Sequence, residues 1–328
     1  MGDAAGIGPE ITLAALTSPE VTGICAPVVY GDLEWMRETA QRLGLPVRIG
    51  AAGEDSADVT VLQATDTDLS DVVPGALSGA AGRAGVECVV AAAEAALRGE
   101  VDAIVTAPLN KEAMALGGRP YPGHTELLAQ VTGTERYGML LLSGPLRVVH
   151  VSTHVSLREA IERVQRPRIL ECIQLGHRAC LDLGIAAPRI AVAGLNPHAG
   201  EHGLFGYEEI EFIAPAIAEA RAQGIDATGP HPPDTIFAMA ARELFDLVVA
   251  MYHDQGHIPV KLHGFDQGVN VTIGLPIIRT SVDHGTAFDI AGKGLARPDS
   301  MIEAIKVAVR MIHAARNRSR LHAHRSSH

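Results

Sequence analysis

Residues 189–201, RIAVAGLNPHAGE, carry both a fold signal and a chemical one. The apolar run Arg189–Leu195 is short, rich in Val, Ile and small residues, and reads as a buried strand. It stops at Asn196-Pro197, and His198 follows at the strand's carboxyl end. The same arrangement occurs twice more: Arg147–Thr153 leads into His154, and Asp246–Tyr252 leads into His253. Further strands are expected at Pro27–Gly31, Val59–Gln63, Asp102–Ala107 and Val269–Ile273. Ala/Leu/Glu-rich helical patterns lie between them, at Pro9–Leu16, Glu34–Leu43, Gly85–Arg98, Leu157–Val164, Arg166–Leu183, Tyr207–Gln223, Pro233–Leu244 and Ser300–Ala315. Strands alternating with helices predict an α/β protein with a largely parallel sheet.

Composition narrows the class. The chain has 328 residues, 47% hydrophobic and 20% charged, which suits a globular protein with a large core. Aromatics are 4%, so that core rests on Ala, Val, Leu and Ile. Net charge is −11 and no dense basic stripe precedes the tail, which argues against nucleic acid or an anionic membrane as partner. No apolar run is long enough to span a bilayer and no signal peptide is visible, so a cytoplasmic location is expected. Cys25, Cys88, Cys172 and Cys180 lack metal-type spacing and read as free thiols in a reducing compartment. The polar, His-rich segment from Arg316 to His328 reads as a frayed, solvated tail. MGDAAGIGPE at the start reads as a strand-to-helix loop with no strand before it.

Ligands of open α/β sheets gather beyond the carboxyl ends of strands, and four clusters lie at or near such positions. His154, His198 and His253 form the first. Three imidazoles at matching topological positions suit Zn, Co, Ni or Fe and leave coordination positions open, although each could instead hydrogen-bond a turn. Gly123-His124-Thr125-Glu126 opens a helical pattern. It offers free N–H groups, a hydroxyl and an imidazole to a phosphate or carboxylate, or else an ordinary N-cap by Thr125. Lys261, Asn270 and Arg279 together could neutralise a dianion. Residues 284–294, HGTAFDIAGKG, form a Gly-rich loop that could wrap a nucleotide while Asp289 binds a ribose hydroxyl. The loop is not a G-x-G-x-x-G fingerprint.

With those residues in view, the chain resembles the 4-hydroxythreonine-4-phosphate dehydrogenase (PdxA) family almost end to end. The resemblance rests on GDAAGIGPE (2–10), TAPLNKE (106–112), YPGHTELLA (121–129), STH (152–154), GLNPHAGE (194–201), YHDQGHIPVK (252–261), GVNVTIGLP (268–276) and RTSVDHGTAFDIAGKG (279–294). It implies a two-domain α/β/α subunit of the isocitrate/isopropylmalate dehydrogenase type, a homodimer, and an active site in the interdomain cleft. Residues 1–120 with 270–328 would form the cofactor side, and 121–269 the metal and dimerisation side. His154, His198 and His253 would share one divalent cation (Zn, Mg or Co), with His253 coming from the partner subunit. His124, Thr125, Lys261, Asn270 and Arg279 match substrate-binding positions. By likeness to the isocitrate-type enzymes, His284, Gly285, Thr286, Ala287, Asp289 and Gly292 would contact NAD or NADP.

The implied reaction is oxidation of a small phosphorylated hydroxy acid followed by loss of carbon dioxide, with Asp234, Asp254 or Lys111 taking the hydroxyl proton. Ala4 stands where the family usually has Pro. His257 and Phe288-Asp289 look like the branch acting on D-threonate or D-erythronate 4-phosphate. A related dihydrodiol dehydrogenase of aromatic catabolism lacks the intact GHT and the phosphate-binding Arg, both present here as Gly123–Thr125 and Arg279. A non-oxidative metal-dependent enzyme on the same scaffold is the remaining alternative.

Overall fold

A computed structural model describes residues 1–54, 57–264 and 267–325. The chain splits into two compact units, Met1–Glu135 with Leu275–Val309, and Arg136–Gly274 with Arg310–His328. The first unit opens with α1 (Gly8–Leu16), β1 (Val28–Gly31), α2 (Leu33–Arg42), β2 (Ile49–Ala51) and β3 (Val59–Gln63). It continues through α3 (Gly79–Leu97), β4 (Ile104–Thr106), α4 (Lys111–Leu116) and α5 (His124–Thr132). The second contains β5 (Gly138–Ser143), β6 (Leu146–His150), α6 (Leu157–Glu162), α7 (Arg166–Asp182), β7 (Ile190–Ala193) and α8 (Ala214–Ala222). After these come β8 (Ala227–His231), α9 (Pro233–Ala241), β9 (Leu247–Ala250), α10 (His253–His263) and β10 (Val269–Ile273). The chain then returns to the first unit with β11 (Arg279–Val282) and ends in α11 (Asp299–Arg325).

In the first unit β1, β3 and β2 form a parallel sheet in that order, and β4 pairs in parallel with β11. Its core includes Ile11, Leu13, Trp35, Met36 and Val61. Strands of the second unit run β10-β5-β6-β9-β7-β8. Only β10–β5 and the β5–β6 hairpin are antiparallel; β6, β9, β7 and β8 are mutually parallel. Leu141, Val148, Ala191 and Val248 are fully buried in its core, where each large apolar side chain contributes about 1.5–3 kcal/mol. The expected α/β class holds, and three neighbouring parallel strands, β6, β9 and β7, precede the three histidines.

The units divide at 135/136 and 274/275, where the approximate expectation was 120/121 and 269/270, and again at 309/310 within α11. Helix α5 belongs to the first unit because Leu127 and Leu128 join Val86, Val89 and Met114 in one apolar cluster. Strand β10 belongs to the second through its ladder with β5. Helix α11 runs to Arg325 where a frayed tail was expected. Arg318 explains its order in part: it donates to the Leu181 carbonyl and, at 2.6 Å, to Asp182 Oδ1. The last three residues of that expected tail lie outside the described residues. The segment from His253 is a helix rather than a loop, despite Gly256 and Pro259. Among the described residues no helix is long and apolar enough to cross a membrane. All four cysteines are free; Cys88, Cys172 and Cys180 are buried, and burial pushes their thiols up to about 11, about 11 and about 12.

Candidate active site

The first unit holds a buried cation beside a helix N-terminus. Arg279 begins β11, is 2% exposed, and donates from Nε and Nη2 to Thr106 Oγ1 at 3.2 and 2.7 Å. Burial pulls its guanidinium down to about 9, still charged at neutral pH, with Glu126 acting in the opposite direction. His124 is the first residue of α5. Burial, then the charge of Arg279, hold its imidazole down to about 3, although a hydrogen bond with the Ala107 backbone opposes the shift. His124 is therefore neutral at physiological pH, and its Nε2 is buried without a partner. Gly123, not Thr125, is the N-cap, and it makes no side-chain cap bond. Thr125 sits inside the first turn, where free backbone N–H groups and the helix dipole favour an anion.

Lys261 and Asn270, expected beside Arg279, belong to the second unit. Lys261 lies on α10, where its charge acts on His257. Asn270 lies in β10 opposite Leu141, with its Oδ1 buried and unpartnered. Buried polar atoms without partners are uncommon and costly, so Asn270 Oδ1 and His124 Nε2 are both apt to meet a ligand.

His154 and His253 lie together in one chain, with ring centroids 5.5 Å apart. His253 is the first residue of α10. Its Nδ1 donates to Asp254 Oδ1 at 2.6 Å, which fixes the tautomer and leaves Nε2 available. Behind it, two further imidazoles that sequence reading did not select as site residues complete a stack. The His257 ring lies flat on His253, centroids 3.6 Å apart and planes 11° apart. His257 Nδ1 donates to the His253 carbonyl at 3.1 Å and also faces His150 Nε2 at 3.1 Å. That sharing assigns the His150 proton to Nδ1, which is buried without a partner. Burial holds His257 down to about 4 and His150 well below its ordinary value.

His198 stands apart from this stack. It occupies a left-handed turn, Pro197–Gly203, in which residues 198–202 all have positive φ between 42° and 77°. Such geometry costs roughly 1–2 kcal/mol per non-glycine residue and persists only where neighbours enforce it. Glu209 is the enforcing group. It is 3% exposed; its Oε1 accepts from Leu195 N and Asn196 N at 2.8 and 2.7 Å, and its Oε2 accepts from Asn196 Nδ2 at 2.9 Å. Glu209→Ala should therefore cost about 3 kcal/mol, whereas Glu209→Gln, which keeps the Oε1 bonds, should cost about 1 kcal/mol. Urea unfolding of both variants checks the difference.

Among the described residues the His198 ring meets local neighbours, Glu201 Oε2 at 3.1 Å and the Phe205 ring at 6.1 Å, and its side chain is 64% exposed. Among the described residues of one chain, no three His, Cys, Asp or Glu side chains converge as a metal set. His154 and His253 lie close together, and among the described residues one chain does not bring all three expected imidazoles into a single cluster.

Asp234 and Asp254 line one open groove of about 660 Å³ with Tyr252, Phe237 and Ile258. Lys111 lies exposed in the first unit at the start of α4, whose N-cap is Asn110. In the 284–294 loop, Thr286 is buried and its carbonyl accepts from Ile7 N at 3.0 Å. Gly285 and Asp289 are exposed, with open space around Gly285. His284 Nδ1 donates to the Gly285 carbonyl at 3.0 Å. Ala287 has φ +42°, and Gly292 φ +77°. An open glycine face and an exposed carboxylate suit a nucleotide's ribose.

These features coincide with a family match. The model for pyridoxal phosphate biosynthetic protein PdxA matches residues 23–308, and the chain belongs to that family. It is 48% identical over 314 residues to a D-threonate 4-phosphate dehydrogenase from Cupriavidus necator, covering 93% of this chain and 94% of that one. It is 47% identical over 317 residues to a 4-hydroxythreonine-4-phosphate dehydrogenase from Beijerinckia indica, covering 95% and 93%. A crystal structure of 4-hydroxythreonine-4-phosphate dehydrogenase from Klebsiella pneumoniae superposes with a TM-score of 0.87 at 46% identity, covering 95% of this chain and 98% of that one.

Proposed function

We propose that the protein is a nicotinamide-dependent dehydrogenase that oxidises a 4-phosphorylated hydroxy acid, D-threonate 4-phosphate in the first instance, with decarboxylation. The observation carrying this reading is the buried Arg279 beside the unpartnered His124 Nε2 and the N-terminus of α5. A dianionic phosphate answers that combination of fixed charge and unfilled donors and acceptors. The named relatives act on such phosphates, which supports the same class of substrate.

When bound, NAD or NADP supplies the hydride acceptor and a divalent cation (Zn, Mg or Co) a Lewis acid for the substrate's oxygens. His284, Gly285, Thr286, Ala287 and Asp289 would hold the dinucleotide, with Gly292 shaping the loop that carries them. His154, His198 and His253 would hold the cation together, shared between the two subunits of a homodimer. Asp254 is then an orienting residue for His253, which leaves Asp234 or Lys111 to take the hydroxyl proton. Lys261 and Asn270 would hold the acid's polar groups. Oxidation β to the carboxylate makes a β-keto acid, whose carbon dioxide leaves readily.

A panel of D-threonate, D-erythronate and hydroxy-L-threonine 4-phosphates, read by NADH absorbance, tests the reading. Turnover should vanish with chelator and fall at least about 100-fold in His198→Ala. Pairwise mixing of His154→Ala, His198→Ala and His253→Ala subunits should restore roughly a quarter of wild-type activity wherever the two altered ligands come from different subunits, because half the dimers are mixed and each has one complete site. No NADH from any acid with metal supplied would reject the reading. Failure of the mixed dimers alone would reject the sharing.

A further inference from the structure

The opening motif GDAAGIGPE has no part in the chemistry above, yet it touches the 284–294 loop in two places. At one, Ile7 N donates to the Thr286 carbonyl at 3.0 Å, and a Cβ on Gly6 would come within 2.9 Å of Thr286 Cβ. At the other, Glu10, which is 5% exposed in the first turn of α1, accepts from the backbone N–H groups of Gly292 and, at 3.3 Å, of Gly294. Gly292 and Gly294 have φ +77° and +66°, which only glycine adopts without strain. Left-handed residues alternating with ordinary ones turn successive N–H groups to one side and form an anion-binding hollow. In a Gly-rich cofactor loop that hollow is a natural seat for a dinucleotide's phosphates. Here the protein's own carboxylate fills it. Between the two anchor points lies the exposed Asp289.

We propose that Glu10 is a positioning residue for the cofactor: its carboxylate occupies the Gly292–Gly294 hollow as an internal anion, sets the loop's conformation, and keeps the dinucleotide's pyrophosphate out of it. The cofactor is thus held by the loop's outer residues, Gly285 to Asp289, and not by its glycine N–H groups. This inference rests on reading residues 284–294 as the cofactor loop.

Direct NADH binding to substrate-free protein tests it. Energy transfer from Trp35 gives the signal, since this is the chain's single tryptophan and its Nε1 donates to Ala4 O of the same motif at 3.0 Å. Glu10→Ala should weaken NADH about 30-fold, and Glu10→Gln, which keeps an acceptor oxygen, about 3-fold to 10-fold. KM for the phosphorylated acid should stay within about twofold of wild type, a split that general destabilisation would not produce. Backbone hydrogen exchange of residues 290–296 should accelerate in Glu10→Gln, a variant of the same size that keeps the proposal testable if Glu10→Ala fails to fold. Unchanged NADH affinity and exchange in Glu10→Gln would overturn the proposal. Tighter NADH binding would also overturn it, by showing that the hollow takes pyrophosphate. Wild-type protein that binds neither NADH nor NADPH would instead remove the underlying reading of the loop.

Discussion

Arg279→Met should lower kcat/KM for a 4-phosphorylated hydroxy acid by about 1,000-fold, equivalent to about 4 kcal/mol of binding in the transition state. A buried guanidinium can grip a phosphate through two parallel N–H bonds, and methionine offers none. Stability should move the other way or not at all. Arg279 is 2% exposed and burial already disfavours its charge, so an apolar residue of similar length removes a desolvation cost. The expected signature is a folded protein with an undiminished melting midpoint and very poor use of the phosphorylated acid. Slow turnover of the unphosphorylated acid should be untouched. Steady-state kinetics on both acids with a thermal melt check this, and equal losses on both acids would place Arg279 in the scaffold instead of against the phosphate.

Metal-free protein should lose about 5 kcal/mol of stability between pH 7 and pH 5. Three imidazoles are held neutral by burial: His124 at about 3, His257 at about 4, and His150 well below the ordinary 6.5. A depressed folded value means that the unfolded chain takes up the proton first. The stabilising effect is complete above pH 6.5 and is lost as pH falls toward about 4. At pH 5 each imidazole costs about 2 kcal/mol, from 1.5 pH units at 1.36 kcal/mol per unit. Asp3 opposes them. Burial raises its carboxyl to about 6, so the folded state accepts that proton before the unfolded chain does and regains about 1 kcal/mol over the same window. Urea unfolding at the two pH values, with chelator present, measures the balance; equal stabilities would mean that these rings are solvated.

The α/β class and the three strand-end histidines could be read from sequence because both are local patterns. A short apolar run ending at Asn196-Pro197-His198 needs no distant partner to be recognised. What escaped notice depends on partners far along the chain. His150 sits inside a strand and looks like one more core residue until His257, 107 residues later, meets its Nε2. Glu10 meets Gly292 across 282 residues. Helix α10 was hidden by Gly256 and Pro259, both poor helix residues. Strand β5, GMLLLS, is an apolar run that periodicity cannot assign to strand or helix.

The four thiols bear on how this protein could be watched as it opens. Cys25 and Cys88 lie in one compact unit, and Cys172 and Cys180 in the other. A thiol buried and held protonated reacts with an alkylating reagent only after its surroundings loosen. Each half of the molecule thereby carries its own chemical clock, and the two can be read side by side in one native, unlabelled chain.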